Sequence, residues 1–338
     1  MERFFNTAGP NVPEDSYTLD PLKRFDLEDI LVLIRQKRYF VLHAPRQTGK
    51  TSCMLALRDY LNASGEYIAV YANVEGGQAS RNDVQSVVKS TVDTLALQCG
   101  YVLGSTLAED LRDTVQQVGK DSMLSTYLSK LSSSLTKPLV LIIDEIDALV
   151  GDSLVSVLRQ LRSGYTDRPK AFPQTIILCG VRDVRDYRIV LSNQDIVTGG
   201  SAFNIKAESL RLGNFSKEEI YELYMQHTNE TGQQFDEACF PLVWKATEGQ
   251  PWLVNALARE VTWSMRENRD RSITITPDMM YKAHENLIYR RDTHIDILID
   301  KLQEPRVKRV IEPILANRDE ASEGLIPSDD NNMWPIWD

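Results

Sequence analysis

Cysteine and histidine are scarce in this chain, four of each in 338 residues. Cys53, Cys99, Cys179 and Cys239 stand far apart with no CxxC pair. That spacing argues against a cysteine-based zinc site and a disulfide framework, and fits a reducing, cytoplasmic setting. His43, His227, His284 and His294 are equally scattered, with no metal-ligand spacing among them. Long apolar runs are missing too. Nothing approaches the roughly 18 residues of a membrane-spanning helix, and the start, MERFFNTAGPNVPED, has no apolar core of a secretory signal. There is no excess of positive charge. The 38 Lys and Arg against 48 Asp and Glu leave a net charge of −10, which opposes binding a phosphate backbone by bulk charge. Internal repeats and low-complexity tracts are also lacking. The remainder, 42% hydrophobic and 25% charged, is the balance of a soluble globular protein of about two domains.

Periodicity divides the chain. Residues 1–25, with Pro10, Pro13 and Pro21, read as an extended segment. Residues 26–38 read as an amphipathic helix with Leu27, Ile30, Leu31 and Ile34 on one face. A short apolar strand at 39–44 leads into a helix at 49–64, expected to pack through Cys53, Leu55, Ala56 and Leu61. Strand 66–74 and helix 81–100 follow, then polar helical sequence to about residue 135. KPLVLIIDEIDALV (137–150) is apolar on both faces and ends in acid, as suits a parallel strand covered by helices on both sides. After a helix at 153–165 come strands at 174–182 and 202–210. Strands alternating with helices predict an α/β fold with a mainly parallel sheet over 26–212. From 213 to 300 the pattern is helical throughout, apart from a brief SITIT, and Ser216 with Glu219 has the spacing of a capping box. This predicts a small all-α unit, and leaves 301–338 as a partial C-terminal segment or tail.

The chemistry-bearing stretch is APRQTGKT (44–51). It follows GxxxxGK[ST] except that Ala44 stands at the first glycine. A strand turning sharply into a helix leaves successive backbone N–H groups pointing inward, where they join the helix dipole in binding phosphate oxygens. The loop Ala44, Pro45, Arg46, Gln47, Thr48 and Gly49, with Lys50, Thr51 and Ser52, is therefore the candidate phosphate cradle. Lys50 is placed for the β and γ phosphates and the Thr51 hydroxyl for Mg²⁺. Ala44 is small enough to keep the turn. The second half of such a site is LVLIIDE (139–145): Asp144 is the candidate second Mg²⁺ ligand and Glu145 the candidate base for an attacking water. Arg182, after the strand at 174–182, is placed to stabilise transition-state charge, with Arg185 and Arg188 as competitors. Gly249 and Pro251, in EGQPWLVNALARE, open a helix in the all-α unit. Each has a plainer reading: a glycine corner before a surface lysine, a solvated acidic turn, a loop arginine and a helix-capping turn. The first two lose weight because both halves of a phosphate site occur in the required order.

With these four pieces in one order, roughly residues 20–290 resemble an AAA-like P-loop ATPase, and more narrowly the STAND branch of signal-transduction ATPases. The resemblance implies ATP as ligand, Mg²⁺ as cofactor and Pro251 as a base or ribose contact. It also implies a base-bordering role for the segment at 17–30, with Tyr17 and Arg24 as guesses, and raises Arg159 and Arg162 as candidate finger arginines toward a neighbouring subunit. Relatives continue into further domains, so the polar ending with Trp334 and Trp337 suggests a truncated chain. The functional expectation is Mg²⁺-dependent ATP hydrolysis used as a conformational switch, toward a protein partner the sequence does not identify. ATP is preferred over GTP for want of an Asn-Lys-x-Asp-like reader. Three rivals stand beside it. A nucleic-acid-dependent motor or initiator has RVKR (306–309) and YRR (289–291) as its basic stretches. A non-hydrolysing nucleotide-binding interaction module is the second. A small-molecule kinase is the third, without a recognisable acceptor pocket.

Overall fold

The computed structural model describes residues 2–181, 183, 188–191, 196–198, 200, 203 and 206–290. Arg182, Arg185 and the expected tail at 301–338 lie outside the described residues, as does the side chain of Arg188.

Five parallel strands form the central sheet: β1 (Tyr39–His43), β2 (Ile68–Asn73), β3 (Leu139–Asp144), β4 (Thr175–Gly180) and, after a short antiparallel hairpin of β5 (Arg188–Val190) and β6 (Ile196–Thr198), β7 (Lys206–Arg211). Their order is β2-β3-β4-β1-β7. Both faces are covered, so strand alternation sorts side chains between two helical layers rather than between core and water. Phe40, Leu42, Val140, Ile142, Ile177 and Cys179 face α1 (Leu27–Arg35) and α2 (Lys50–Ser64). Val41, Val70, Leu141, Ile143 and Leu178 face α3 (Val84–Leu103), α5 (Met123–Ser134) and α6 (Gly151–Ser163), while α4 (Leu107–Val115) packs on α3 and α5.

The expected elements form, with shifts in bounds and phase. α2 buries Lys50, Cys53, Met54, Leu57 and Leu61, whereas Leu55 and Ala56 are only partly buried. α1 turns Leu33 inward beside Ile30 and Ile34, leaving Leu27 and Leu31 partly buried. The apolar run at 137–150 is not one strand. β3 stops at Asp144, Glu145 takes a left-handed backbone (φ +56°), and Ile146–Ala148 forms a 3-10 turn.

The all-α unit comprises α7 (Lys217–Thr231), α8 (Cys239–Thr247), α9 (Pro251–Arg259), which runs into a π turn at Glu260–Ser264, and α10 (Pro277–Arg290). Ser216 and Glu219 close the capping box on α7, a feature worth about 1 kcal/mol. SITIT contributes only an isolated bridge between Ile275 and Phe235.

The N-terminal segment does not stand apart. Phe5 and Tyr17 are buried among Tyr224, His227 and Phe235 of the helical unit. Arg3 pairs with Glu230 at 2.7 Å, and the Gln226 side-chain amide bonds the backbone of Thr18 in both directions (3.2 and 2.9 Å). This strap packs Phe5, Tyr17 and Leu19 into the core of the helical unit rather than into regular structure of its own. Among the described residues no helix is long and apolar enough to cross a membrane.

Candidate functional site

β1 ends at His43, and the chain turns through Ala44–Gly49 into α2. The left-handed residues of the turn are Gln47 (φ +62°) and Gly49 (φ +88°), not Ala44. The first position thus asks for smallness, and Ala44 meets it: it is fully buried, and its N–H donates to Gly180 O at 3.2 Å. Gly49 is the N-cap of α2 and offers no side-chain cap, so the first-turn N–H groups face the turn as donors. Pro45 and Arg46 are exposed. The Thr48 hydroxyl donates to Pro45 O (2.9 Å), and the Lys50 ammonium, 6% exposed, donates to Ala44 O (2.9 Å) and Pro45 O (3.1 Å).

Two strands away, β3 brings Asp144 to the same end of the sheet. The Thr51 hydroxyl donates to Asp144 Oδ2 at 3.0 Å. The same oxygen accepts the Tyr71 hydroxyl at 2.7 Å, and Oδ1 accepts the Glu145 N–H at 2.9 Å. A fully buried carboxylate is tolerable only with such donors around it. Glu145 is half-buried, and its pKa is raised, first by burial and then by the charges of Asp144 and Asp147, with Lys50 opposing. Burial, then Asp144, also pushes the Cys179 thiol well up, so it stays protonated. Asp147 Oδ1 accepts the Val181 N–H (3.2 Å), fixing the end of β4 to the acidic turn.

A cavity of about 130 Å³ opens beside the turn. Gln47, Gly49 and Ser52 come from the core, Thr18 and Arg24 from the strap, and Pro251 and Asn255 from the helical unit, with Phe215 and Trp252 beside them. It is smaller than the roughly 300–1,000 Å³ of a whole-ligand pocket, so it suits one end of a ligand whose other end lies along the turn. The Ser52 hydroxyl accepts the Asn11 N–H (3.2 Å). Arg24 donates to Thr48 O (3.4 Å) and Gly213 O (2.6 Å) and lies 4.4 Å from the Phe215 ring centroid. Tyr17, guessed as a base neighbour, is instead fully buried in the helical core, where its aromatic ring is better matched. The structure therefore gathers Ala44–Ser52, Asp144 and Glu145 at one end of the sheet. Pro251 reaches the same turn: its neighbour Gln250 donates to Gln47 O at 3.5 Å.

Residues 34–187 match the family described as AAA domain. The fold is similar to that of the ORC2 protein of Aeropyrum pernix, solved in ADPNP–ADP complexes. That likeness is 15% identical, covers 83% of this chain and 71% of that one, and has a TM-score of 0.52. The ORC1 protein of the same organism, solved in complex with DNA, gives 14% identity, 95% and 75% coverage and a TM-score of 0.51. Cdc6p of Pyrobaculum aerophilum gives 15%, 78% and 65%, and 0.51. No curated protein matches the sequence.

Residues 34–187 are thus similar to an AAA domain, on a fold shared with those structures.

At this site the residues present fit Mg²⁺ and a nucleotide. The described residues gather no group of three or more His, Cys, Asp or Glu around a common point. Mg²⁺ rarely needs such a cage, since it takes one or two carboxylates together with waters and substrate phosphates. Thr51 and Asp144 would hold it, and a bound cation would supply charge neutralisation to the phosphates. Tyr71, Asp147 and Trp252 were not read from the sequence as site residues. Asp147 was within reach, as the third acid of DEID at the end of an apolar strand. Tyr71 carries no local signal.

Proposed function

We propose that the chain binds ATP with Mg²⁺ at this site, hydrolyses it slowly, and uses the nucleotide to hold the helical unit and the strap against the core. The observation that carries the reading is the cavity whose walls come from all three parts at the phosphate-binding turn. The uncapped N–H donors of α2 and the Lys50 ammonium suit the phosphates. Glu145, its carboxyl pKa raised toward the working pH, suits the base that takes a proton from water. Loss of the γ-phosphate would remove the contacts that draw Lys50 toward the ligand and loosen the closure. In this reading Pro251 and the Gly249 turn touch the nucleoside end, one of the two features, with Arg182, on which the narrower STAND likeness rests.

Asn255 lines the cavity. Its amide nitrogen donates to Pro251 O at 2.8 Å, which holds the side chain against the first turn of α9.

The test is fluorescent-ATP binding beside phosphate-release kinetics. Lys50→Ala is expected to lose binding. Glu145→Gln is expected to keep binding and lose turnover by a factor of about 10² or more. Wild-type turnover in Glu145→Gln would remove the residue from the role of base. Stimulation of hydrolysis by added DNA would move the reading toward a nucleic-acid-dependent ATPase. Tight binding without any phosphate release would move it toward a non-hydrolysing module.

A further inference from the structure

Tyr71 lies on β2, outside the P-loop and outside the acidic strand, yet its hydroxyl sits 2.7 Å from Asp144 Oδ2. The sheet places it there. β2 and β3 run parallel with Tyr71 opposite Ile142 and Asn73 opposite Asp144. Tyr71 and Ile142 belong to the layer under α2, and Asp144, two residues beyond Ile142, projects to that same face. A phenol is long enough to span the two-residue offset along the strand to the carboxylate. Phenylalanine would match its packing and leave the oxygen unreached.

The carboxylate torsion of Asp144 is consequently set from three sides. Thr51 approaches from α2, Tyr71 from β2, and the Glu145 N–H from the acid's own turn. Tyr71 and Thr51 share one oxygen. That oxygen is the one directed at the phosphate-binding helix, so its orientation decides how well Asp144 and the Thr51 hydroxyl present lone pairs to a common cation.

We propose that Tyr71 is a positioning residue for the cation site: its hydroxyl orients Asp144 so that the Thr51–Asp144 pair binds divalent metal with the nucleotide. This rests on the nucleotide reading above. Partners that orient metal-ligating groups typically carry a 10–100-fold share of metal affinity. The effect belongs to the metal, because Tyr71 is not among the residues lining the cavity beside the turn.

The experiment compares wild type with Tyr71→Phe by titrating fluorescent ATP in EDTA and again across a range of Mg²⁺, with thermal melts of both proteins. Expected is unchanged affinity in EDTA and a melt lowered only by the loss of one donor to a buried carboxylate, with the Mg²⁺ needed for half of the metal-dependent binding gain raised about tenfold. Mn²⁺ titration followed by electron paramagnetic resonance of the nucleotide complex should show the same displacement without any turnover. An identical Mg²⁺ response in the two proteins overturns the proposal. Equal weakening with and without metal overturns it as well, as does a variant that fails to fold, because the hydroxyl would then serve the fold and not the cation. A wild type without any metal-dependent nucleotide binding overturns the nucleotide reading itself, an outcome distinct from the others.

Discussion

His227 is 2% exposed and sits between the strap and the helical unit. Nδ1 faces the Tyr17 hydroxyl at 3.2 Å and Nε2 faces Gln233 Oε1 at 2.9 Å. With Nε2 facing a carbonyl oxygen, the neutral ring carries its proton there and accepts from Tyr17. Its pKa is lowered, chiefly by burial and also by Arg271, against the opposing effects of Gln233, Glu2 and Glu230. In the unfolded chain it titrates near the ordinary value of about 6.5. The unfolded state therefore binds more protons below that pH, and stability present above it is lost as pH falls toward the lower folded pKa. Denaturant melts between pH 8 and pH 5 should show this loss, and His227→Gln should flatten it while lowering stability at neutral pH. At this scale the sequence was most legible where one short segment carries the chemistry. Lys50, Thr51, Asp144 and Glu145 follow from a turn and a strand end. Tyr71 and His227 do not, because their partners lie 73 and 210 residues away in the chain and depend on register and docking.

Elements obey constraints that hydrophobic period alone does not carry. The expected face of α2 included Leu55 and Ala56, but the helix is rotated to put Met54 and Leu57 on the sheet. Lys50 must lie over its turn and Thr51 must reach Asp144. Positions 53, 54, 57 and 61 then follow at helical spacing from Lys50. The strands were found because they are apolar on both faces. Their order was not, since periodicity says nothing about which strand pairs with which, and β5 and β6 span only three residues each. The turn before α9 shows a tighter constraint. Gly249 has φ +74°, Phe215 N donates to its carbonyl at 2.8 Å, and a Cβ there would meet Phe215 O at 2.0 Å. Gly249→Ala should cost about 1–3 kcal/mol through the backbone conformation, with more from the clash, and should displace Pro251 from the cavity. Thermal melts together with ATP titration check both; a variant with a native melt and native affinity would show that the turn relaxes freely.

Across the whole molecule, β4 stands between the strand that feeds the 44–49 turn and the strand that carries Asp144. Parallel direction brings all three carboxyl ends to one edge, where a ligand site is expected in such sheets. The core supplies the chemistry there, but closure of the site depends on residues far apart in the chain. Arg24 links them. It bonds the core at Thr48 O and the entry to the helical unit at Gly213 O, and lies against Phe215. The side chain is partly buried, and that burial is the chief cause of its lowered pKa. Arg24→Met keeps the length and apolar stem and removes both donors. Hydrogen bonds from a charged group are worth about 1.5–3 kcal/mol, so ATP affinity should fall by a factor of about ten or more, and protease cleavage near residues 213–215 should quicken and no longer slow when ATP is added. Loss of affinity with ATP protection intact would place Arg24 on the ligand alone. Retention of both would mean that the strap and the helical unit stay docked through Phe5, Tyr17 and Gln226 without it.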